Sequence, residues 1–152
     1  MIRNAEEKDL DRLVELSKQM HAESSTYSRY SFDVEKLRNY MWGTILNDSG
    51  ILIVYEKDGQ IIGGFIGWIG EQWFGNDSVA CDLGLFVEKD KRGAMAGALL
   101  IKRFTEIAKE KGAAQVVISN STGVDKDRVG KLYEKLGMEH VGFVYSLNNK
   151  EE

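Results

Sequence analysis

Proline is absent from the 152-residue chain. Every turn must therefore rest on Gly, Asn, Asp and Ser. Cysteine occurs once, as Cys81. That excludes a disulfide framework within the chain and any cysteine-based zinc cluster. The two histidines, His21 and His140, lie far apart in the sequence, so a histidine-rich metal site is not expected and no metal is assigned. No apolar run approaches the roughly 20 residues that cross a bilayer. The opening Met1-Ile2-Arg3-Asn4 carries no apolar signal region, so a cytoplasmic protein without membrane attachment is expected. Charge of one sign is also in small excess: 24 acidic and 20 basic residues leave a formal net charge of −4. That argues against non-specific nucleic-acid binding. What is present, 43% hydrophobic and 29% charged residues, suffices for one globular core without staples.

Apolar spacing then divides the chain. Residues 2–4 read as a short strand. Leu10, Leu13, Val14 and Ser17, with Leu16 and Met20 beside them, predict a helix from about Glu6 to His21. Residues 22–30 have no apolar period and read as a loop. Ser31 is placed to cap a second helix with Val34, Leu37, Met41 and Ile45 as its stripe. Ile51–Tyr55, Ile61–Phe74 and Val79–Val87 read as three antiparallel strands, joined by Lys57-Asp58-Gly59-Gln60 and Gly75-Asn76-Asp77-Ser78. From Ala94 the spacing is helical again, and Gly112 ends that helix. Residues 113–119 predict a strand, Asp125 caps a helix that Gly137 closes, and residues 139–147 predict a last strand. The order β-α-α-β-β-β-α-β-α-β is an α+β fold: a mixed, mostly antiparallel sheet of about six strands with helices on both faces.

Two segments carry chemistry. Leu85-Phe86-Val87 runs through a polar stretch into Arg92-Gly93-Ala94-Met95-Ala96-Gly97-Ala98. A strand thus enters a loop of small side chains that opens a helix. Small residues let an anion approach the backbone, and the first helical turn offers free N–H groups and the positive end of the dipole. The other reading of the segment is a turn with close helix–sheet packing. A Walker loop is excluded, because no Gly-Lys-Ser/Thr ending follows. A dinucleotide fingerprint is excluded, because the loop follows an antiparallel meander. The second segment is Leu132-Tyr133-Glu134-Lys135-Leu136-Gly137-Met138, a helix end. Tyr133 there is either an acid or a packing tyrosine.

Together these residues resemble the Gcn5-related N-acetyltransferase (GNAT) superfamily. Arg92 to Gly97 is similar to the family's acyl-CoA loop, Arg/Gln-x-x-Gly-x-Gly/Ala. Leu132 to Met138 is similar to its Leu-Tyr-x-x-x-Gly-Phe helix end. The resemblance covers nearly the whole chain in element order, with residues 1–148 as a single acyl-CoA N-acyltransferase-like domain and residues 149–152 as a polar tail. It implies acetyl-CoA as cosubstrate and an amine as acceptor. It also implies backbone contacts to the pantetheine from Leu85, Phe86 and Val87, and pyrophosphate contacts from the amides of Arg92, Gly93, Ala94, Met95, Ala96, Gly97 and Ala98. Asn120 would bond the pantetheine or simply form a turn. Tyr133 would be the acid. The base would be Asp82, Glu71 or a water. Strict alternation turns Cys81 rather than Asp82 to the face of Leu85 and Val87, and a bulge would reverse that.

Several positions depart from the family pattern or stand outside it. Met95 occupies a glycine position and is expected to turn away from the pyrophosphate, toward the helix–sheet contact. Met138 replaces a phenylalanine, and Lys126 an asparagine that contacts the cofactor. One strand after Gly137, where many members have two, leaves a sheet edge uncovered and points to a homodimer. Tyr27, Tyr30 and Tyr40 lie where the acceptor site is shaped. Lys126, Arg128 and Lys131 read as a solvated helix face, or one of them meets the cofactor's ribose phosphate. Cys81 reads as a small core residue, and Trp68, Trp73 and Phe74 as core or hairpin packing. The resemblance leaves a second function open, a catalytically inactive GNAT-fold module that binds CoA or a protein partner for regulation.

Overall fold

Ile2–Asn4 (β1), Gly50–Lys57 (β2), Gln60–Glu71 (β3), Ser78–Val87 (β4) and Gln115–Val117 (β5) form one sheet in that order. The first four strands are antiparallel, and β5 joins β4 in parallel. The described residues also form four α-helices: Leu10–Glu23 (α1), Val34–Leu46 (α2), Ala96–Glu110 (α3) and Lys126–Lys135 (α4). The computed structural model describes residues 1–92 and 95–150.

The continuous apolar run of β2 has a direct cause: the strand is buried on both faces. Leu52 and Val54 join Leu10, Leu13, Leu16 and Met41 beneath α1 and α2. Ile51 and Ile53 join Leu100, Ile101 and Phe104 beneath α3. The Phe65 and Phe104 rings stack at 4.1 Å. The glycines of β3 let both helical layers come this close. A Cβ at Gly67 would stand 2.5 Å from the Phe104 ring, and one at Gly64 2.7 Å from Leu13 and Phe86. The sheet is thus a central layer with α1 and α2 on one side and α3 and α4 on the other.

Three of the predicted helix starts differ from the observed ones. The first helix opens as a 3-10 turn at Glu7–Asp9, where Asp9 accepts the Glu6 amide and an Arg3 fork. The second is capped by Asp33 and not by Ser31, because the Asp33 carboxylate reaches the Lys36 amide at 2.9 Å. Asp125 precedes α4 but lies in the left-handed region and makes no capping bond.

The sheet has five strands where about six are expected. Residues 139–147 form no strand. A strand needs a partner edge, and no strand of the described residues pairs with this segment. Its alternating Val141, Phe143, Tyr145 and Leu147 are all exposed.

Candidate acyl-CoA site

The site begins with a fault in the sheet. Along β4, Asp82 pairs with Gly67 and Gly84 with Ile66, which leaves Leu83 without a partner on β3. This bulge decides the parity that the sequence left open. Phe65, opposite Leu85, and Gly67, opposite Asp82, both face α3. Asp82 therefore shares a face with Leu85 and Val87, and Cys81 turns to the other side. Cys81 is accordingly exposed, not the small core residue expected.

β5 leaves β4 at the same level. The two strands pair only over Val79–Cys81 and Gln115–Val117. Beyond Cys81, β4 keeps β3 on one side, and its other backbone edge faces a cleft of about 750 Å³. Asp82 stands at the fork. Its Oδ1 accepts the Ser119 N–H at 2.9 Å and its Oδ2 the Ser119 hydroxyl at 3.3 Å. Burial pushes the Asp82 carboxyl above the usual carboxylate range, against the opposing pull of the Ser119 bonds. Across the fork, the Tyr133 hydroxyl donates to the Ser119 carbonyl at 3.0 Å. Burial, reinforced by the charge of Asp82, raises the Tyr133 hydroxyl too, so it keeps its proton at neutral pH. One residue, Ser119, thus joins the two side chains named as catalytic candidates. Sequence reading passed over it. The only signal was a run of small polar side chains, Ser119-Asn120-Ser121-Thr122, directly after a strand.

The other wall of the cleft is the start of α3. Among the described residues no side chain caps this helix, and its first turn holds no acid, in contrast to α2 with Asp33. Its N–H groups and dipole are therefore open to an anion. Leu85, Phe86, Val87, Arg92, Met95, Gly97, Ala98 and Asn120 line the cleft. Ala96 is buried beneath the helix. Gly93 and Ala94 lie outside the described residues.

The Arg92 side chain is already engaged. Its Nε donates to the Val87 carbonyl at 2.9 Å, and its fork grips Glu23 at the end of α1. That contact holds the Glu23 carboxyl below its ordinary range. The Asn120 amide nitrogen donates to the Lys126 carbonyl at 2.7 Å, which ties the loop to the start of α4. Of Tyr27, Tyr30 and Tyr40 only Tyr27 lines the cleft; Tyr40 lies within α2 and packs against Trp68. Arg128 and Lys131 line it and Lys126 does not. Glu71 sits at the far end of β3, opposite Ser78 and outside the cleft. Trp73 and Phe74 are exposed at the β3–β4 hairpin tip, where their rings meet edge to face.

Met95 overturns an expectation. It lines the cleft and is 70% exposed, and so does not turn into the helix–sheet contact. The buried positions beneath the first turn are already filled by Ala96 and Leu100. An exposed side chain supports little packing. Met95→Ala is therefore expected to change the unfolding free energy by no more than about 0.5 kcal/mol. A denaturant melt showing a loss of several kcal/mol would contradict this placement.

A sheet whose fourth and fifth strands part over an uncapped helix start is the architecture of the GNAT acetyltransferases. The chain belongs to that family: the model of the acetyltransferase (GNAT) family matches residues 11–138. The family's acyl donor is acetyl-CoA. The open α3 start and the one-sided edge of β4 suit its pyrophosphate and its amide-bearing arm. Among similar solved structures is AAC(6')-Iy in complex with the bisubstrate analogue CoA-S-monomethyl-acetylneamine. It has 18% identity and a TM-score of 0.80, over 99% of this chain and 97% of that one. Glucosamine-6-phosphate N-acetyltransferase from Arabidopsis thaliana has 20% identity and a TM-score of 0.75, over 99% and 98%. A transcriptional regulator from Bacillus halodurans C-125 has 21% identity and a TM-score of 0.76, over 97% and 99%. At such identities these likenesses concern the fold. No curated protein sequence matches the chain significantly.

Proposed function

We propose that this chain transfers the acetyl group of acetyl-CoA to a primary amine by direct attack. The observation that carries this reading is the meeting of Asp82 and Tyr133 at Ser119, where β4 and β5 part. Acetyl-CoA, when bound, supplies the activated acyl group. The amides at the start of α3, from Met95 to Ala98, would hold its pyrophosphate. The free edge of β4 from Leu85 to Val87 would pair with its pantetheine arm, as a ligand adds to a sheet edge. Asp82 accepts the proton of the attacking amine, and its raised affinity for protons suits a base near neutral pH. Tyr133 keeps its own proton for the departing sulfur.

The test is thiol release from acetyl-CoA over a panel of amines: glucosamine 6-phosphate, neamine, spermidine and a short peptide with a free N-terminus. A binding isotherm for CoA is run beside it. Turnover of at least one amine supports the enzyme. CoA binding with turnover of none would favour the rival, a catalytically inactive module of this fold.

A reducing, cytoplasmic setting accords with the single cysteine, and no helix of the described residues is long and apolar enough to cross a membrane. The open outer edge of β5 and the exposed, alternating segment 139–147 support a homodimer in which a second copy covers them. Light scattering at high micromolar concentration is expected to give twice the chain mass, and a monomeric mass would remove the dimer.

A further inference from the structure

Both oxygens of the half-buried Asp82 carboxylate accept hydrogen bonds from Ser119, Oδ1 from its N–H and Oδ2 from its hydroxyl. That hydroxyl belongs to a longer row. The Tyr27 hydroxyl lies 3.0 Å from Ser121 Oγ. Ser121 Oγ donates to Ser119 Oγ at 3.5 Å, and Ser119 Oγ donates to Asp82 Oδ2 at 3.3 Å. Every group in the row except the last is a hydroxyl, which both donates and accepts, and the last is an acceptor when ionised. The row starts in the loop between α1 and α2 and ends at the fork of β4 and β5.

Its outer end is held in place by the backbone. Ser24, almost wholly buried, donates to the Thr122 carbonyl and accepts the Tyr27 amide. Gly123 follows with a φ of +75°, and a Cβ there would stand 2.2 Å from Ser25 Oγ. It is this φ that favours glycine, since the hydroxyl can rotate away and the Ser25 backbone nitrogen lies 3.8 Å from the same point. The clasp thereby holds Tyr27 against Ser121.

We propose that Tyr27, Ser121 and Ser119 form a hydroxyl relay that carries the proton of the acceptor amine to Asp82. This rests on the acetyltransferase reading above. As the amine nitrogen's lone pair forms the bond to the thioester carbon, its N–H bond breaks and the proton passes to the Tyr27 oxygen. Tyr27 releases its own proton to Ser121, Ser121 to Ser119, and Ser119 to Asp82 Oδ2. Each hydroxyl again holds one proton, and Asp82 becomes a neutral acid. The C–S bond then breaks with its electron pair on sulfur, and the thiolate takes the proton of Tyr133. After the products leave, Asp82 gives its proton to solvent and Tyr133 takes one from solvent, so the net transfer is one proton from nitrogen to sulfur. The middle link is the longest, and such contacts commonly tighten only when substrate is bound.

The experiment compares Ser121→Ala, Tyr27→Phe and the double variant with wild type, using acetyl-CoA and the fastest amine of the panel. Each single variant is expected to lose about ten- to hundred-fold in kcat, with CoA affinity within about two-fold of wild type. Links of one chain fail together, so the double variant should be no slower than the slower single. Imidazole, an external proton acceptor, should restore part of the rate, and Ser121→Thr should keep it. Additive losses without rescue would mean a merely structural role. A wild-type kcat in Ser121→Ala, with chemistry rate-limiting, would overturn the relay and leave the acetyltransferase intact. Wild type that acetylates no panel amine would overturn the enzyme reading and the relay with it.

Discussion

Tyr133→Phe is expected to lower turnover by roughly one to three orders of magnitude, the usual reach of a positioned acid. The change removes one oxygen and keeps the ring against the core beneath α3, so the fold should persist. In the structure that oxygen donates to the Ser119 carbonyl at 3.0 Å, beside the forking strands. A thiol has an ordinary pKa of about 8.5, so the leaving thiolate needs only modest help near neutral pH. A hydroxyl held in its protonated form by burial can give that help as a hydrogen bond or a proton. The contact matters most when charge develops on sulfur, so acetyl-CoA affinity should stay within about two-fold of wild type. The measurement is single-turnover kinetics with an amine that wild type acetylates, beside an acetyl-CoA isotherm. A wild-type rate in the variant, with chemistry rate-limiting, would make Tyr133 a packing residue. Its place in the α3-side cluster makes that outcome physically coherent.

Gly97→Glu is expected to abolish acetyl-CoA binding while the protein stays folded. Gly97 is the second residue of α3 and lines the cleft. A Cβ built there meets nothing closer than Leu132 Cδ2 at 4.0 Å. The glycine is thus not required by the packing of the chain, and its small size serves whatever approaches from the cleft. A glutamate at a helix start is favourable to the helix, since its charge meets the positive end of the dipole. Loss of binding could then not be attributed to unfolding. The carboxylate would occupy the position of an incoming phosphate and repel it. Gly97→Ala, which adds bulk without charge, should weaken binding less. Calorimetry with acetyl-CoA and a thermal melt of each variant decide the matter. Unchanged affinity in folded Gly97→Glu would remove α3 as the pyrophosphate site.

Much of the fold was legible because its signals are local. The β-branched and aromatic run of β2, the Asp58-Gly59 turn and the glycines that follow α3 and α4 each act within a few residues. So did the small-residue start of α3 after β4, which brought the family into view. The last strand was not legible in the same way. Residues 139–147 carry a strand's alternation, but pairing is a property of two segments, and β5 offers an edge only three residues long.

The candidate site divides along the same line. Sequence by itself determined the residue types: a carboxylate before the loop, a tyrosine on the last helix, small residues at a helix start. Tertiary structure alone decided which way they point. One unpaired residue, Leu83, turns Asp82 toward α3 and Cys81 away, because each inserted residue reverses strand parity. Ser119, Ser121 and Tyr27 gained significance only when a loop 92 residues earlier in the chain closed on them, Tyr27 against Ser119 by number. Met95 stands in the cleft because Ala96 and Leu100 had already filled the space beneath it. Such outcomes depend on volume and on contacts between distant segments, which no local pattern in a sequence records.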